Sequence, residues 1–267
     1  MLKDITIGQF YPADSIIHQL DARIKIIATL VFVIMLFVID SFVGYGFVFL
    51  SLWAVIVLSK VPVSMMVKGL KSILFILVFT AVINLFATQG ETVLFQLWIF
   101  KATKEGLILS IQMVIRLIYL IVGSSIMTLT TTPIQLTDAI EYLLKPLKKI
   151  GVPAHEIAMM MTIALRFIPT LLDETDKIMK AQQARGADFE TGSLIHRAKN
   201  MIPILVPLFV SAFRRADELA IAMEARCYHG DTGRTRMTEM KYSRLDYMAI
   251  GCLIVYCVLI IIVRIVF

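Results

Sequence analysis

Five apolar runs, residues 24–39, 42–58, 73–87, 107–129 and 247–267, limit what this chain can fold into more than anything else in it. As helices rising about 1.5 Å per residue, such runs come close to spanning the ~30 Å hydrocarbon core of a bilayer. The first two are separated only by Asp40-Ser41. One helix made of both would be far too long to cross once, so a tight hairpin turning at Asp40 is expected. Composition agrees: 58% of residues are hydrophobic and 17% charged, with a mean hydropathy of +0.83. A soluble chain is nearer half apolar and a quarter charged. The expected fold is all-α, a polytopic membrane protein of about five transmembrane helices.

The charges orient it. The net charge of +6 could suggest nucleic acid as a partner, but Lys and Arg flank the apolar runs as the positive-inside rule requires, which excludes that class. The connection carrying Lys60, Lys68 and Lys71 contains no acid and is expected on the cytoplasmic side. Residues 1–23, with Gly8, Pro12, Asp14 and Ser15, read as a turn-rich segment on that same face, so the N-terminus is cytoplasmic. Asp4, Asp14 and Asp21 precede the first run, and no small-residue cleavage site follows it, so no cleavable signal peptide is expected. Residues 88–106 read as an outer loop, with Trp98, Phe95 and Phe100 at the interface and Lys101 and Lys104 balanced by Glu91 and Glu105. The fourth run carries Arg116 and the small-residue patch Gly123-Ser124-Ser125, which allows close helix approach in lipid. Arg116 is expected to pair with a neighbouring helix in preference to binding a substrate or ion; Asn84 carries no signal of its own.

Between the fourth and fifth runs the composition changes. Residues 130–244 hold 16 of the 26 Lys/Arg and 13 of the 20 Asp/Glu, yet stay helical in pattern. Thr132-Pro133-Ile134-Gln135 opens a helix with Thr as N-cap, Pro at the first position and Gln closing a capping box. Lys148-Lys149, then Gly151 and Pro153, close it. Two longer helices follow, over about 153–185 and 193–226, each about 50 Å long, with bends expected at Pro169, Pro203 and Pro207. Three parts result: residues 1–129, an N-terminal segment and four spans; residues 130–244, long cytoplasmic helices; and residues 245–267, the last span.

The ends of the two long helices repeat. Ala181-Gln182-Gln183-Ala184-Arg185-Gly186 matches Ala222-Met223-Glu224-Ala225-Arg226-Cys227, and Asp176 and Asp217 each lie nine residues before the Arg. An Arg flanked by small residues at a helix C-terminus presents a guanidinium fork suited to an acidic or carbonyl-lined groove. It also complements the helix dipole, worth a few tenths to ~1 kcal/mol. Both accounts fit the residues taken alone. Met159, Met160, Met161, Met179, Met201 and Met223 lie on the same helices; methionine fills core gaps and also serves surfaces that must fit several partners.

Signatures of catalysis are missing from the sequence. No Gly-x-x-x-x-Gly-Lys-Ser/Thr loop and no Gly-Lys dipeptide occur, nor His-Glu-x-x-His, nor Gly-x-Ser-x-Gly. His18, His155, His196 and His229 are scattered and read as caps or interfacial residues, and Cys227, Cys252 and Cys257 as free thiols. The chain is expected to be a non-enzyme without cofactor or metal. A secondary transporter is the rival reading, but it usually shows inverted repeats and midplane polar sites.

Four stretches together resemble the transmembrane T component of energy-coupling factor transporters. They are Gly8-Gln9-Phe10-Tyr11-Pro12-Ala13-Asp14-Ser15-Ile16-Ile17-His18; Leu20-Asp21-Ala22-Arg23-Ile24-Lys25, where Ala22 replaces the family's usual Pro; Thr131-Thr132-Pro133, Pro146-Leu147 and Ala164-Leu165-Arg166-Phe167-Ile168-Pro169; and Ala184-Arg185-Gly186 with Ala225-Arg226-Cys227. The motifs stand in order along nearly the whole chain. The resemblance implies a multi-pass protein of a prokaryotic cell membrane with two cytoplasmic ATPase subunits and one membrane-embedded S component as partners. ATP would be bound by the ATPases, and a vitamin or metal ion captured by the S component. Ala184, Arg185, Gly186, Ala225, Arg226 and Cys227 would dock the ATPases, and Met159, Met160, Met161, Met179 and Met201 would face the S component. Arg166 would be a structural contact and Pro169 a bend letting α-helices cross.

Overall fold

The computed structural model describes residues 10–88, 92–97, 100–189, 193–230 and 240–266. Gly8, Gln9, Glu91 and Trp98 lie outside the described residues. Helices dominate: α1 (Ile16–Gln19), α2 (Ala22–Val38), α3 (Phe42–Ser59), α4 (Val63–Ala87), α5 (Lys104–Thr130), α6 (Pro133–Leu144), α7 (Ala154–Ala184), α8 (Leu194–Ala225) and α9 (Arg244–Val266). Within the expected outer loop, Val93–Leu97 and Phe100–Thr103 pair as antiparallel strands β1 and β2. Thr103 then caps α5, its hydroxyl accepting from the Gly106 amide at 3.1 Å. The segment is therefore a short hairpin, because its backbone groups pair with each other between two helix ends.

The described residues form two compact units, 10–139 with 240–266 and 140–230. In the first, α2, α3, α5 and α9 enclose Leu36, Val48, Leu52, Ile126, Leu129 and Ile260, all buried. Outward faces of the same helices expose Leu30, Phe37, Leu50, Trp53, Ile254 and Ile265. Apolar side chains on both faces are what a helix between protein and lipid requires. Close approach relies on small residues, as the fourth run suggested. A Cβ on Gly123 would run into the Phe32 ring of α2, and one on Gly106 would meet the Leu85 carbonyl of α4 at 3.0 Å. Nearby, the Ser110 hydroxyl donates to the Ala81 carbonyl of α4 at 3.0 Å.

Among the described residues four helices are long and apolar enough to cross a membrane: α3, α5, α7 and α9. Helix α4 reaches that length and apolarity only as a bent pair, Val63–Lys71 and Ile73–Ala87 at 60°, the form of a broken span or a re-entrant loop. Two differences from the sequence expectation follow. The 17 residues of α2 span only about 26 Å as a helix, a little less than the hydrocarbon core. And α7, read from its surrounding charge as an extramembrane helix, has an apolar first half, from Ile157 through Leu172, in which Arg166 is the sole charge.

The α2–α3 hairpin turns at Asp40 as expected, with Ser41 capping α3 through the Gly44 amide at 3.2 Å. Arg116 reaches this turn from α5. It donates to the Ile39 carbonyl at 2.8 Å, approaches the Asp40 carboxylate at 3.4 Å, and lies 5.5 Å from the Phe37 ring centroid. Gln112, one turn earlier, donates to the Asp40 carbonyl at 2.8 Å. This intramembrane charge is committed to structure, which satisfies carbonyls left open at the end of α2.

The opposite end holds a buried polar knot. The Asp21 carboxylate caps α2 by accepting from the Arg23 amide at 2.8 Å, and pairs with the Arg23 guanidinium at 2.6 Å. Arg23 also lies 4.1 Å from the Tyr242 ring centroid. His18, on α1, shares hydrogen bonds with the Ser15 hydroxyl (2.7 Å) and the Tyr11 carbonyl (2.9 Å), while the Tyr11 amide donates to the Leu129 carbonyl at 2.9 Å. Burial would raise the Asp21 pKa, but the hydrogen bonds and charge of Arg23, aided by Lys25, outweigh it and hold the carboxyl below its usual range.

Candidate functional site

The second unit is built on α7 and α8. Ahead of it, α6 opens with the capping box: the Gln135 amide donates to the Thr132 hydroxyl at 3.3 Å and the Thr132 amide to the Gln135 side-chain oxygen at 3.1 Å. The chain passes through α6 into a single 3-10 segment, Lys145–Ile150, that stops at Gly151 with φ 88°. Left-handed φ is accessible to glycine without a Cβ clash. Helix α7 starts after Pro153, where His155 Nδ1 lies 3.1 Å from the Glu141 carboxylate and ties the helix back to α6.

Residues four apart on each long helix face the partner. Ile163, Phe167 and Leu171 of α7 oppose Ala212, Ala216 and Ala220 of α8, a spacing that puts each set on one face. Alanines are too short to fill the seam, and a groove of about 260 Å³ remains, lined also by Arg215, Leu219 and Met223. Among the described residues an ion pair crosses it: Arg215 donates to Glu174 at 3.0 Å. The helices run on through Pro169, Pro203 and Pro207.

The repeat read in the sequence is also a repeat in the backbone. At the end of α7 the amides of Arg185, Gly186 and Ala187 donate to the carbonyls of Gln182, Gln183 and Gln182 at 3.0, 2.9 and 3.0 Å. At the end of α8 the amides of Arg226, Cys227 and Tyr228 donate to Met223, Glu224 and Met223 at 3.1, 2.8 and 3.1 Å. Bond for bond these are the same Schellman closure, with the residue after each Arg in the left-handed region: Gly186 at φ 89° and Cys227 at φ 56°. The closure satisfies the last carbonyls internally, so neither Arg is needed as a carbonyl cap. Both stand exposed, as do Ala184, Gly186, Ala225 and Cys227. All six predicted docking residues thus sit at two matching, accessible helix ends.

The methionines divide. Met160, Met161 and Met201 are exposed, whereas Met159 and Met179 are half-buried. Exposure on α8 is wider than methionine: Ile202, Val206, Phe209, Val210 and Phe213 are all more than half exposed. Arg166 is exposed on α7. Sequence reasoning missed Asp246, which is buried; Ser243-Arg244-Leu245-Asp246 ahead of an apolar run is a capping-box pattern and was the available signal. Among the described residues no group of three or more His, Cys, Asp or Glu could hold a metal ion.

Comparison with known proteins agrees with this architecture. The cobalt transport protein family matches residues 13–238. The energy-coupling factor transporter transmembrane protein EcfT of Clostridium kluyveri is 58% identical over 260 residues, covering 97% of this chain and 96% of its own. That of Bacillus subtilis is 46% identical over 99% of this chain and 100% of its own, and that of Lactococcus lactis subsp. cremoris 43% identical over 97% and 98%. With a match of that extent, this chain belongs to the cobalt transport protein family and stands among its energy-coupling factor transmembrane proteins.

Proposed function

We propose that this chain is the coupling subunit of an energy-coupling factor importer. It joins two cytoplasmic ATPase subunits to a membrane-embedded S component that captures a vitamin or another micronutrient. The observation that carries this reading is the pair of identical helix ends. Two ATPase subunits need two docking elements, and α7 and α8 close with the same hydrogen-bond pattern and each expose one Arg beside small residues. The guanidinium suits a carboxylate- or carbonyl-lined groove because it offers a planar, permanently charged fork.

In this reading the two Arg ends face the cytoplasm, as does the N-terminus, and ATP is bound by the partners alone. ATP-driven closure of the ATPases draws the two Arg ends together. Helices α7 and α8, 31 and 32 residues long, carry that displacement along about 45 Å to the S component. The exposed apolar side chains of α8, with Met160, Met161 and Met201, supply the adaptable surface on which the S component rests. Half-buried Met159 and Met179 support that face from within.

A pull-down from mild detergent tests the proposal. Tagged wild type should bring down two ATPase subunits and one small membrane protein. The Arg185→Ala/Arg226→Ala variant should keep the membrane protein and lose the ATPases, with uptake abolished. A wild type that purifies alone and moves solute in liposomes would instead be a secondary transporter.

A further inference from the structure

We infer that the buried Asp21–Arg23–Lys25 cluster is a clamp that holds the end of α5 to the start of α9, the two apolar helices between which residues 131–243 are inserted. It makes these residues positioning elements for coupling. The inference deepens the coupling reading and rests on it.

The observations are these. Thr130 is the last residue of α5, and α9 begins at Arg244, so these mark the end of one apolar helix and the start of the last. Lys25 donates its ammonium to the Thr130 carbonyl at 2.8 Å and to the His18 carbonyl at 3.3 Å. Two residues before Lys25, Arg23 donates to the Met240 carbonyl at 3.3 Å. Two residues before that, the Asp21 amide donates to the Asp246 carboxylate at 2.9 Å, whose other oxygen accepts from the Ser243 amide at 2.7 Å. Alternate residues of one short motif therefore grip the two ends of an inserted segment more than a hundred residues long.

Burial says that the grip is not incidental. Arg23, Lys25 and Asp246 are 2%, 6% and 2% exposed, and Thr130 is 1% exposed. Charges so far from water are retained only where every one is partnered. Helix capping alone would require Asp246 to serve Ser243 and Asp21 to serve Arg23, both local. It would not require Asp246 to reach Asp21, or Lys25 to spend its charge on a carbonyl of α5. A lever needs a fixed base, and here both ends of the insertion share one. Without it, motion of the inserted helices would be dissipated by independent swinging of the two connections.

Spin labels test this in the full chain in lipid nanodiscs. Cys227, Cys252 and Cys257 are replaced by Ser, and labels are placed at two exposed residues, one on each side of the clamp, through Ile134→Cys and Arg244→Cys. The unperturbed clamp should give one narrow distance distribution, and Asp246→Asn or Lys25→Met should broaden it. In the assembled transporter Asp246→Asn should retain the ATPases and their ATP turnover, while substrate moved per ATP falls by about fivefold or more, the lower end of typical inter-site coupling. If Asp246→Asn does not yield monodisperse protein, Tyr242→Leu takes its place, since Tyr242 is 42% exposed and the change removes its ring from beside Arg23 and Tyr247 without touching a charge. Unchanged distance distributions, or uptake and ATP turnover falling in equal proportion, overturn the inference. The distance measurement involves no partner, so its failure is separate from a failure of ATPases to copurify with the unlabelled chain.

Discussion

Gly186→Ala isolates the contribution of backbone conformation to the Arg185 end of α7. Nothing lies within 4 Å of the position a Cβ would occupy there, so the substitution makes no steric contact beyond its own residue. Its cost is the left-handed φ of 89°. An L-residue in that region loses roughly 1–2 kcal/mol. Reduced freedom of the unfolded chain returns about 0.4–1 kcal/mol of this. The net is a loss of about 1 kcal/mol, or roughly fivefold in the opening equilibrium of the last turn. The amide of Ala187 reports it directly, because its hydrogen bond to the Gln182 carbonyl closes the motif. Hydrogen exchange resolved to that peptide should quicken about fivefold, with exchange elsewhere unchanged. Cys227→Gly is the mirror experiment: φ of 56° is already unfavourable for Cys, so exchange at the Tyr228 amide should slow or stay level. If Gly186→Ala leaves Ala187 exchange as in wild type, the left-handed closure does not hold the Arg185 end, and the structural equivalence of the two ends loses its force.

Two further outcomes follow from the membrane unit. Gly123→Ala should destabilise it by about 1–3 kcal/mol, the usual cost of overpacking, because the new methyl meets the Phe32 ring; the drop is read as an earlier thermal transition in detergent, and Phe32→Leu should partly restore it. Asp21 sets an acid limit: its folded pKa lies below the unfolded value near 4, so its contribution is complete above pH ~4 and disappears as pH falls through the lower folded value. Thermal transitions measured between pH 3 and 7 should therefore fall more steeply at the acid end for wild type than for Asp21→Asn, and parallel curves would refute the assignment.

Much of this was legible in residue order. The capping box at Thr132 and Gln135, the stop at Gly151, and the bounds of α7 and α8 all follow from local signals, since each is decided within one turn of helix. The two Arg ends were visible as a repeat, but their identical backbone closure was not, because Cys gives no sequence hint of a left-handed φ. The hairpin at β1 and β2 was missed: its strands are short and its apolar residues read equally well as interfacial side chains. Nor could the sequence reveal the clamp. Asp21 and Asp246 lie 225 residues apart, and only the closed fold brings them within hydrogen-bond distance. The motif Leu20-Asp21-Ala22-Arg23-Ile24-Lys25 was recognisable, but its partners were not.

The seam between α7 and α8 bears on what a membrane component of a transporter must do when its helices transmit motion. Packed cores resist sliding because side chains interdigitate at interior density. Here Ala212, Ala216 and Ala220 present short side chains to Ile163, Phe167 and Leu171, and among the described residues Glu174 reaches across to a partly exposed ion pair with Arg215 and a hydrogen bond from Ser211. Such a partly exposed pair holds about 1 kcal/mol or less. Small shear between the helices is therefore cheap, which is the property a shear-type transition uses. Ala216→Leu puts about three extra carbons into the open groove, stabilising the pair by roughly 1–2 kcal/mol through apolar burial, less than full burial because Ala216 is itself exposed. The expected result is a higher thermal transition, intact ATPase docking and slower uptake, since the groove that allows the slide is now filled. Normal uptake in a variant shown to be more stable would mean that α7 and α8 move as one body, and that the alanine seam is ordinary helix packing.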